Sequence, residues 1–142
     1  MPGQKYSAHG TVVTADSVQV EGLVSIGLPD ETVGEAETTD SDSGGVREFV
    51  AGLADSGELQ LEMRHIPGAT GQDNLRTLKA SRAVVEFIIT LPASATDDST
   101  VGTVTFDGYV NGLGGELPVA EDAAAMFTAS VRVSGALTHA VA

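Results

Sequence analysis

The chain of 142 residues contains no cysteine and no tryptophan, and its only aromatic residues are four phenylalanines and two tyrosines. The absence of cysteine excludes disulfide bonds and thiolate metal sites, and it leaves the redox compartment undetermined. With so few aromatic rings, we expect a core of valine, leucine, isoleucine, alanine and phenylalanine. No apolar run approaches the length of a membrane span, so we predict no membrane partner. The size suits a single domain over residues 1–142.

Basic residues are scarce as well. The chain has 7 Lys and Arg against 20 Asp and Glu, a formal net charge of −13. Such a surface repels the phosphates of nucleic acids and anionic membranes instead of binding them. Two interpretations stay open: the charge keeps the protein soluble, or it lines a surface along which a polyanion passes without sticking. Residues 1–5 lead into polar sequence without a secretion signal, so we expect synthesis in the cytoplasm.

Alternation of polar and apolar residues predicts five or six short strands. The clearest is residues 58–64, where Leu59, Leu61 and Met63 share one face. The run at 83–91 carries one charged residue, Glu86, which favours a central strand covered on both faces. Further strands are predicted at residues 18–26, 32–39, 103–110 and 127–134. The pattern indicates a mainly β, α+β domain with a curved or sandwiched sheet.

One helix is predicted, at residues 71–81, where Leu75 and Leu78 are three apart and basic residues come late. Residues 1–16 are interpreted as a loosely ordered arm or an edge strand. Polar or glycine-rich connections are expected at 93–100 and 112–118, a helical turn or bulge at 123–126 and a polar tail at 136–142.

The stretch 46–67 organises the rest of the chain. It begins after the acidic, glycine-containing segment 40–45, which predicts a loop that is solvated or ordered by a partner. The apolar piece 46–53 that follows is compatible with a strand or with one helical turn. Coupling a flexible loop, an apolar segment and an amphipathic strand is typical of a subunit that docks onto copies of itself.

No pattern of catalytic or metal-binding residues is evident. His9, His65 and His139 have no partner at metal-ligand spacing, and the nucleophile pattern G-x-S-x-G does not occur. Asp40 and Asp42 occupy the first and third places of a calcium loop, but its fifth and twelfth places lack a ligand side chain. Adjacent acids such as those at 97–98 and 121–122 are interpreted as solvated. We therefore predict a protein that is not an enzyme and has no cofactor or metal.

Several segments, taken in order, resemble a known family. They are residues 22–30, 47–53, 55–62, 71–75 and 127–135. Together they are similar to the major tail tube protein of long-tailed, lambda-type bacteriophages, over about residues 18 to 135. We expect the chain to lack the additional immunoglobulin-like domain that some members carry.

The resemblance implies a β-sandwich-like tail tube fold with one flanking short helix. It implies six subunits to a ring, rings stacked into a tube in the virion tail, and sheets that join between subunits into a continuous β-barrel. DNA would pass through the bore without specific binding. The implied partners are further copies of the chain, a tape measure protein, a tail terminator and tail-tip proteins.

By position, the resemblance implies that residues 38–53 form a loop that reaches a neighbouring subunit. The predicted inter-subunit contacts are Asp40, Asp42, Arg47, Phe49, Val50 and Leu53. The predicted bore-lining residues are Glu58, Glu62 and Asp107, although a role at the outer surface is an alternative for them.

Three other functions remain open at this stage. A tube protein of a contractile tail or a secretion apparatus would have the same general pattern. A monomeric β-sandwich binding module would stay dispersed at micromolar concentration. A small enzyme would show a deep pocket with two carboxyl groups of perturbed pKa.

Overall fold

The computed structural model describes residues 10–42, 44–92, 102–119 and 124–141, which form ten strands and one helix. The elements are β1 (Val12–Ala15), β2 (Val18–Gln19), β3 (Leu23–Gly27), β4 (Thr32–Glu37), β5 (Phe49–Asp55), β6 (Glu58–Arg64), α1 (Thr70–Ser81), β7 (Val85–Thr90), β8 (Gly102–Glu116), β9 (Met126–Val133) and β10 (Thr138–Val141). The mainly β fold with one short flanking helix is confirmed. In these residues no helix is long and apolar enough to cross a membrane.

Eight of the strands form one antiparallel sheet. Its order is β2-β1-β7-β8-β9-β6-β3, and β10 pairs with β8. Strand β9 pairs with residues 108–116 of β8, whereas β10 pairs with residues 102–105. Because β7 occupies the other edge of β8 at residues 103–108, β9 and β10 follow one another along the same edge. In the part of the chain that the structure describes, strands β4 and β5 pair only with each other, as a separate two-stranded sheet.

One face of the large sheet forms the core. Leu59, Leu61 and Met63 of β6 are at most 2% exposed, as the alternation predicted. Directly opposite residues of an antiparallel pair share a face, and the residues of β9 opposite these three are also buried: Val131, Ala129 and Phe127. On the neighbouring strands, the rings of Phe87 and Phe106 stack with their centroids 5.5 Å apart. The predicted faces of β6 and β9 are confirmed.

Helix α1 covers part of this core. Leu75 and Leu78 are buried in the same cluster as the sheet residues. At its first turn the helix lies against β2 so closely that a Cβ at Gly71 would collide with the carbonyl oxygen of Gln19. At its end Arg82 adopts a left-handed conformation, and its N–H donates to the carbonyl of Leu78 at 2.9 Å. The helix predicted at 71–81 is confirmed.

A buried glutamine links the helix to the ends of two strands by hydrogen bonds. No sequence pattern indicated this contact. Gln72 has no exposed surface. Its Nε2 donates to the carbonyl oxygens of Arg64 and Glu21, at 2.7 and 3.1 Å, and its Oε1 accepts from the N–H of Ile66 at 3.0 Å. The side chain thus hydrogen-bonds backbone groups at and just after the end of β6 and before β3.

Both ends of the described chain contain strands where the sequence predicted little order. Residues 12–15 form β1, which lies between β2 and β7 and buries Val13 and Ala15 completely. Of the two interpretations of 1–16, the strand applies to residues 12–15, although it is not an edge strand because its backbone pairs with both β7 and β2; residues 1–9 lie outside the described part. The tail predicted at 136–142 is wrong for 138–141, which form β10.

Three internal predictions also need correction. The strand predicted at 18–26 is broken between β2 and β3, where Gly22 has a φ of +75°. The connection predicted at 112–118 is strand as far as Glu116, because β9 continues to pair with it. The run at 83–91 is fully buried on one face only, since Glu86 is exposed. The predictions for 93–100, 121–122 and the start of 123–126 fall outside the described residues.

We predict that Gln72→Leu destabilises the subunit. The leucine fills similar volume but leaves three backbone groups without their partner, which costs at least about 2 kcal/mol in total. Denaturant unfolding measures the difference. The matched control is Gln60→Leu, because Gln60 is exposed on β6 and makes one long side-chain contact, 3.4 Å to Glu58. Equal unfolding midpoints for the two variants would contradict the structural role of Gln72.

Candidate assembly surface

One long hairpin runs through the molecule and out of the main sheet. Strand β3 continues through residues 28–31 into β4, and β5 continues through residues 56–57 into β6. Since β3 pairs with β6 and β4 pairs with β5, the four strands form two halves of the same hairpin. Only the β3–β6 half belongs to the main sheet. We call the other half, residues 32–55, the ribbon.

The ribbon is uncovered in the single chain. Every residue of β4 and β5 is exposed. Among the predicted contact residues, Phe49 is 50%, Val50 51% and Leu53 92% exposed, and Val33 and Val46 are exposed as well. A two-stranded hairpin that buries no apolar surface is marginally stable in water. The structure therefore places the predicted apolar residues on one protruding element and does not bury them.

The predicted loop at 38–53 is shorter than expected. Residues 49–53 belong to β5, because their backbone pairs with β4, so only residues 38–48 connect the strands. The connection is closed at its base by the N–H of Thr38, which donates to the carbonyl of Glu48 at 2.8 Å. At its tip the N–H of Asp42 donates to Oδ1 of Asp40 at 2.9 Å. Both predicted acids therefore lie at the far end of the ribbon.

The apolar side chains of the ribbon do not form one patch. Val50 lies opposite Ala36, and Phe49 lies opposite Glu37, so Val50 and Phe49 point to different faces. On the Phe49 face, Arg47 donates to both carboxylate oxygens of Glu37 and lies 5.4 Å from the Phe49 ring centroid. These hydrogen bonds hold the pKa of Glu37 below its ordinary value. The ribbon thus presents an apolar group on each side.

The base of the ribbon is fixed to the main sheet by an ion pair. Asp55 accepts from Arg132 of β9 at 2.8 and 2.9 Å and from the N–H of Gly57 at 2.9 Å. Gly57 has a φ of +76°, and a Cβ there would approach Asp30 O to 2.5 Å. The hydroxyl of Ser56 donates to the carbonyl of Gly135 at 2.6 Å. Together these contacts fix the orientation of the ribbon relative to the main sheet.

The face of the main sheet opposite the core carries the three predicted bore residues. Glu58 and Glu62 lie opposite Arg132 and Thr128, and Asp107 lies opposite Glu86. All three alternate with buried residues of their strands, so they share this polar face. Glu116 also lies on it. The structure thus brings the three acids to one face, where Arg132 is already paired with Asp55.

A short polar network orders part of this face. The Nδ2 of Asn111 donates to Glu58 Oε1 at 2.9 Å, and the hydroxyl of Ser130 donates to Asn111 Oδ1 at 2.5 Å. Asn111 lies 53 positions from Glu58 and 19 positions from Ser130 along the chain, and Arg132 lies 77 positions from Asp55. Sequence reasoning missed them because only the register of the strands makes them neighbours.

We predict that acid loosens the base of the ribbon. The N–H of Gly57, and then Arg132, keep the pKa of Asp55 below its ordinary value of 3.8. A carboxyl whose pKa is lower in the folded chain adds stability above the unfolded value, and this is lost as the pH falls through the lower folded value. The protection factors of the ribbon and β6 amides, which correct exchange rates for the intrinsic effect of pH, should therefore fall below about pH 4.

The variant Asp55→Asn provides the comparison for this prediction. Its ribbon amides should be less protected than those of the native chain near neutral pH and should lose less protection on acidification, because the titrating carboxyl is gone. Asp16→Asn is the matched control, since Asp16 takes part in none of the ion pairs among the described residues. An acid response that is the same in the native chain and in Asp55→Asn would contradict the anchoring role.

Comparison with solved structures shows the same fold in several tail and injection assemblies. A chain of the PVC extracellular contractile injection system sheath/tube terminator in its extended state matches with a TM-score of 0.77 and 14% identity, covering 97% of this chain and 98% of that one. The SPP1 tail tube matches at 0.69 and 13%, covering 95% and 78%. The tail of an empty gene transfer agent particle, refined with C6 symmetry, matches at 0.63 and 15%, covering 86% and 84%.

No curated protein sequence matches the chain. The model of the lambda phage tail tube protein family, TTP, matches residues 7–140, which is nearly the whole sequence. The strands and the helix described above fall within those residues, apart from the last residue of β10. The chain therefore belongs to the lambda phage tail tube protein family, and it is a structural subunit of the tube in a virion tail.

Proposed function

We propose that copies of this chain form stacked rings of six subunits, and that the bore of the resulting tube conducts DNA to the host. Family membership supports the tube, and the C6 symmetry of the structurally similar gene transfer agent tail supports six subunits. The observation that carries the proposal is the ribbon, an element whose apolar residues have no core of their own. Exposed apolar surface of this kind marks a site of protein association.

The ribbon is the inter-subunit contact in this proposal. Phe49, Val50 and Leu53 supply the apolar surface, and burying such side chains contributes about 1.5–3 kcal/mol each. Arg47 holds Phe49 and Glu37 in place. Asp40 and Asp42 lie at the tip, where they would meet the neighbouring subunit last.

The sheets of neighbouring subunits join through open strand edges in this proposal. Among the described residues, β3 pairs only with β6, and residues 109–116 of β8 pair only with β9. Unpaired edges of this kind are templates for another strand. Joining the free edge of β3 to that of β8 in the next copy would close a ring of sheets into one continuous barrel.

The polar face of the sheet lines the bore. Glu58, Glu62 and Asp107 then point toward the DNA and repel its phosphates, so that the DNA slides without binding. The subunit performs no catalysis in this account. It acts with a tape measure protein, a tail terminator and tail-tip proteins, which the family resemblance implies.

A contractile tail or injection tube is the second candidate. The fold similarity to the contractile injection system chain favours it. The family model matches the lambda type, whose tails are long and do not contract, and we therefore prefer that assignment.

We predict that the purified protein forms rings or tubes with a central hole, visible by negative-stain electron microscopy. Phe49→Glu should abolish them while the subunit stays folded, because Phe49 is exposed and outside the core. Deletion of residues 40–45 should have the same effect. Val119→Glu is the matched control, since Val119 is fully exposed and lies outside the ribbon.

Two results would contradict this proposal. Dispersed monomers at high concentration would favour a monomeric binding module. Normal tubes from Phe49→Glu would show that the ribbon is not the contact. Circular dichroism of each variant verifies that the fold is retained.

We predict that reversing the charge of the polar face makes the tube retain DNA. Glu62→Lys with Asp107→Lys should still assemble, but the tubes should bind short duplex DNA at low salt and release it as salt rises. Native tubes should bind none. The control is Glu21→Lys, an exposed residue between β2 and β3 that lies outside both the polar face and the ribbon. Equal DNA retention by the bore variant and the native tube would contradict the orientation of the sheet.

A further inference from the structure

Charge is distributed unevenly over the molecule. The ribbon, residues 32–55, carries six acidic residues and one basic residue, a net charge of −5. Arg47 is paired with Glu37, and Asp55 is paired with Arg132. Glu35 and Glu48 take part in none of the ion pairs among the described residues, although the ribbon holds them in ordered positions. A ribbon of this charge meets strong repulsion from most of the acidic surface of another copy.

Basic residues are concentrated in one place. Three of the seven Lys and Arg residues lie on α1 and its C-cap, at positions 76, 79 and 82. Residues three apart on a helix are neighbours on its surface. Arg76 is paired with Asp73 at 2.7 Å, whereas Lys79 and Arg82 take part in no ion pair among the described residues. We call Arg76, Lys79 and Arg82 the basic patch.

The basic patch borders exposed apolar surface. Ala80 and Ala83 are exposed, and Val84 is 56% exposed. This combination of cations beside small apolar side chains complements the ribbon, which presents acids beside Phe49, Val50 and Leu53. The ribbon and the basic patch are far apart in sequence. None of the ion pairs among the described residues joins the ribbon to the basic patch within one chain.

We propose that the ribbon of one copy docks onto the basic patch of a second copy, so that Lys79 and Arg82 straddle the ribbon and approach Glu35 on its Phe49 face and Glu48 on its Val50 face. This inference rests on the proposed function, because it specifies where the assembling ribbon binds. The two surfaces differ, so the contact is head-to-tail and propagates from copy to copy. Opposite charges make the basic patch the favoured binding site on an otherwise acidic subunit. The apolar residues of the ribbon supply the buried area.

Charge reversal on either side tests the contact. Lys79→Glu with Arg82→Glu changes the formal net charge from −13 to −17, and Glu35→Lys with Glu48→Lys changes it to −9. Each pair should raise the critical concentration for tube formation at least about tenfold, because like charges then face each other. All four side chains are exposed, so thermal unfolding should change little, although the loss of Lys79 from the last turn of α1 removes a favourable interaction with the helix dipole.

The variant that combines all four substitutions is the decisive control, because its formal net charge is again −13. It should polymerise within about threefold of the native critical concentration, since opposite charges face each other again. It should also form tubes separately from the native chain when the two are mixed with different labels.

Each alternative result overturns a defined part of the account. If the native chain stays monomeric, both the proposed function and this inference fail. If the native chain forms tubes and Lys79→Glu with Arg82→Glu does so equally well, this inference alone fails. It also fails if both pairs block assembly and the fourfold variant does not restore it.

Discussion

The structure depends on one long hairpin that extends beyond the main sheet. Its β3–β6 half is held by seven ladder positions with β9 and by the core beneath β6. Among the described residues, the strands of its other half, the ribbon, pair only with each other, and the Asp55–Arg132 ion pair holds the ribbon to β9 at its base. Backbone ordering costs about 1–2 kcal/mol per residue, and no residue of β4 or β5 is buried to offset that cost. A protein association that covers the ribbon removes this imbalance.

The body of the subunit is complete without that association. One core joins the sheet to α1, and Gln72 satisfies the backbone groups where the helix meets β6. The Asp55–Arg132 pair and the turn at Gly57 then fix the ribbon to this body at a defined angle. This division between a stable body and an uncovered ribbon lets the subunit fold first and assemble afterwards.

Sequence patterns predicted the elements whose burial follows a simple period. The buried face of β6, the buried face of β9 and the helix at 71–81 are examples, because each depends on residues close together in the chain. The extension of β8 to Glu116 and the strand at Thr138 were not predictable in this way. Their sequences are rich in glycine or small residues, and only pairing with a distant strand makes them extended.

The same reasoning applies to the candidate site. The resemblance to the tail tube family implied a contact at Phe49, Val50 and Leu53, and the apolar residues beside an acidic loop in the sequence agree with it. The register of β5 with β4 was needed to show that Phe49 and Val50 lie on opposite faces of the ribbon. The Asp55–Arg132 ion pair could not be predicted from the sequence, because its residues are 77 positions apart and only the fold brings them together. Glu58, Glu62 and Asp107 share a face, as expected from strand alternation, and the orientation of that face in a tube stays a prediction.

Hydrogen exchange of the ribbon amides in free subunits and in assembled tubes tests the central claim most directly. The account predicts that the amides of β4 and β5 exchange quickly in the free subunit, because the ribbon opens locally without disturbing the core. In tubes they should become as protected as those of β6. Fast exchange of β4 and β5 in fully assembled tubes would contradict the claim that assembly covers the ribbon.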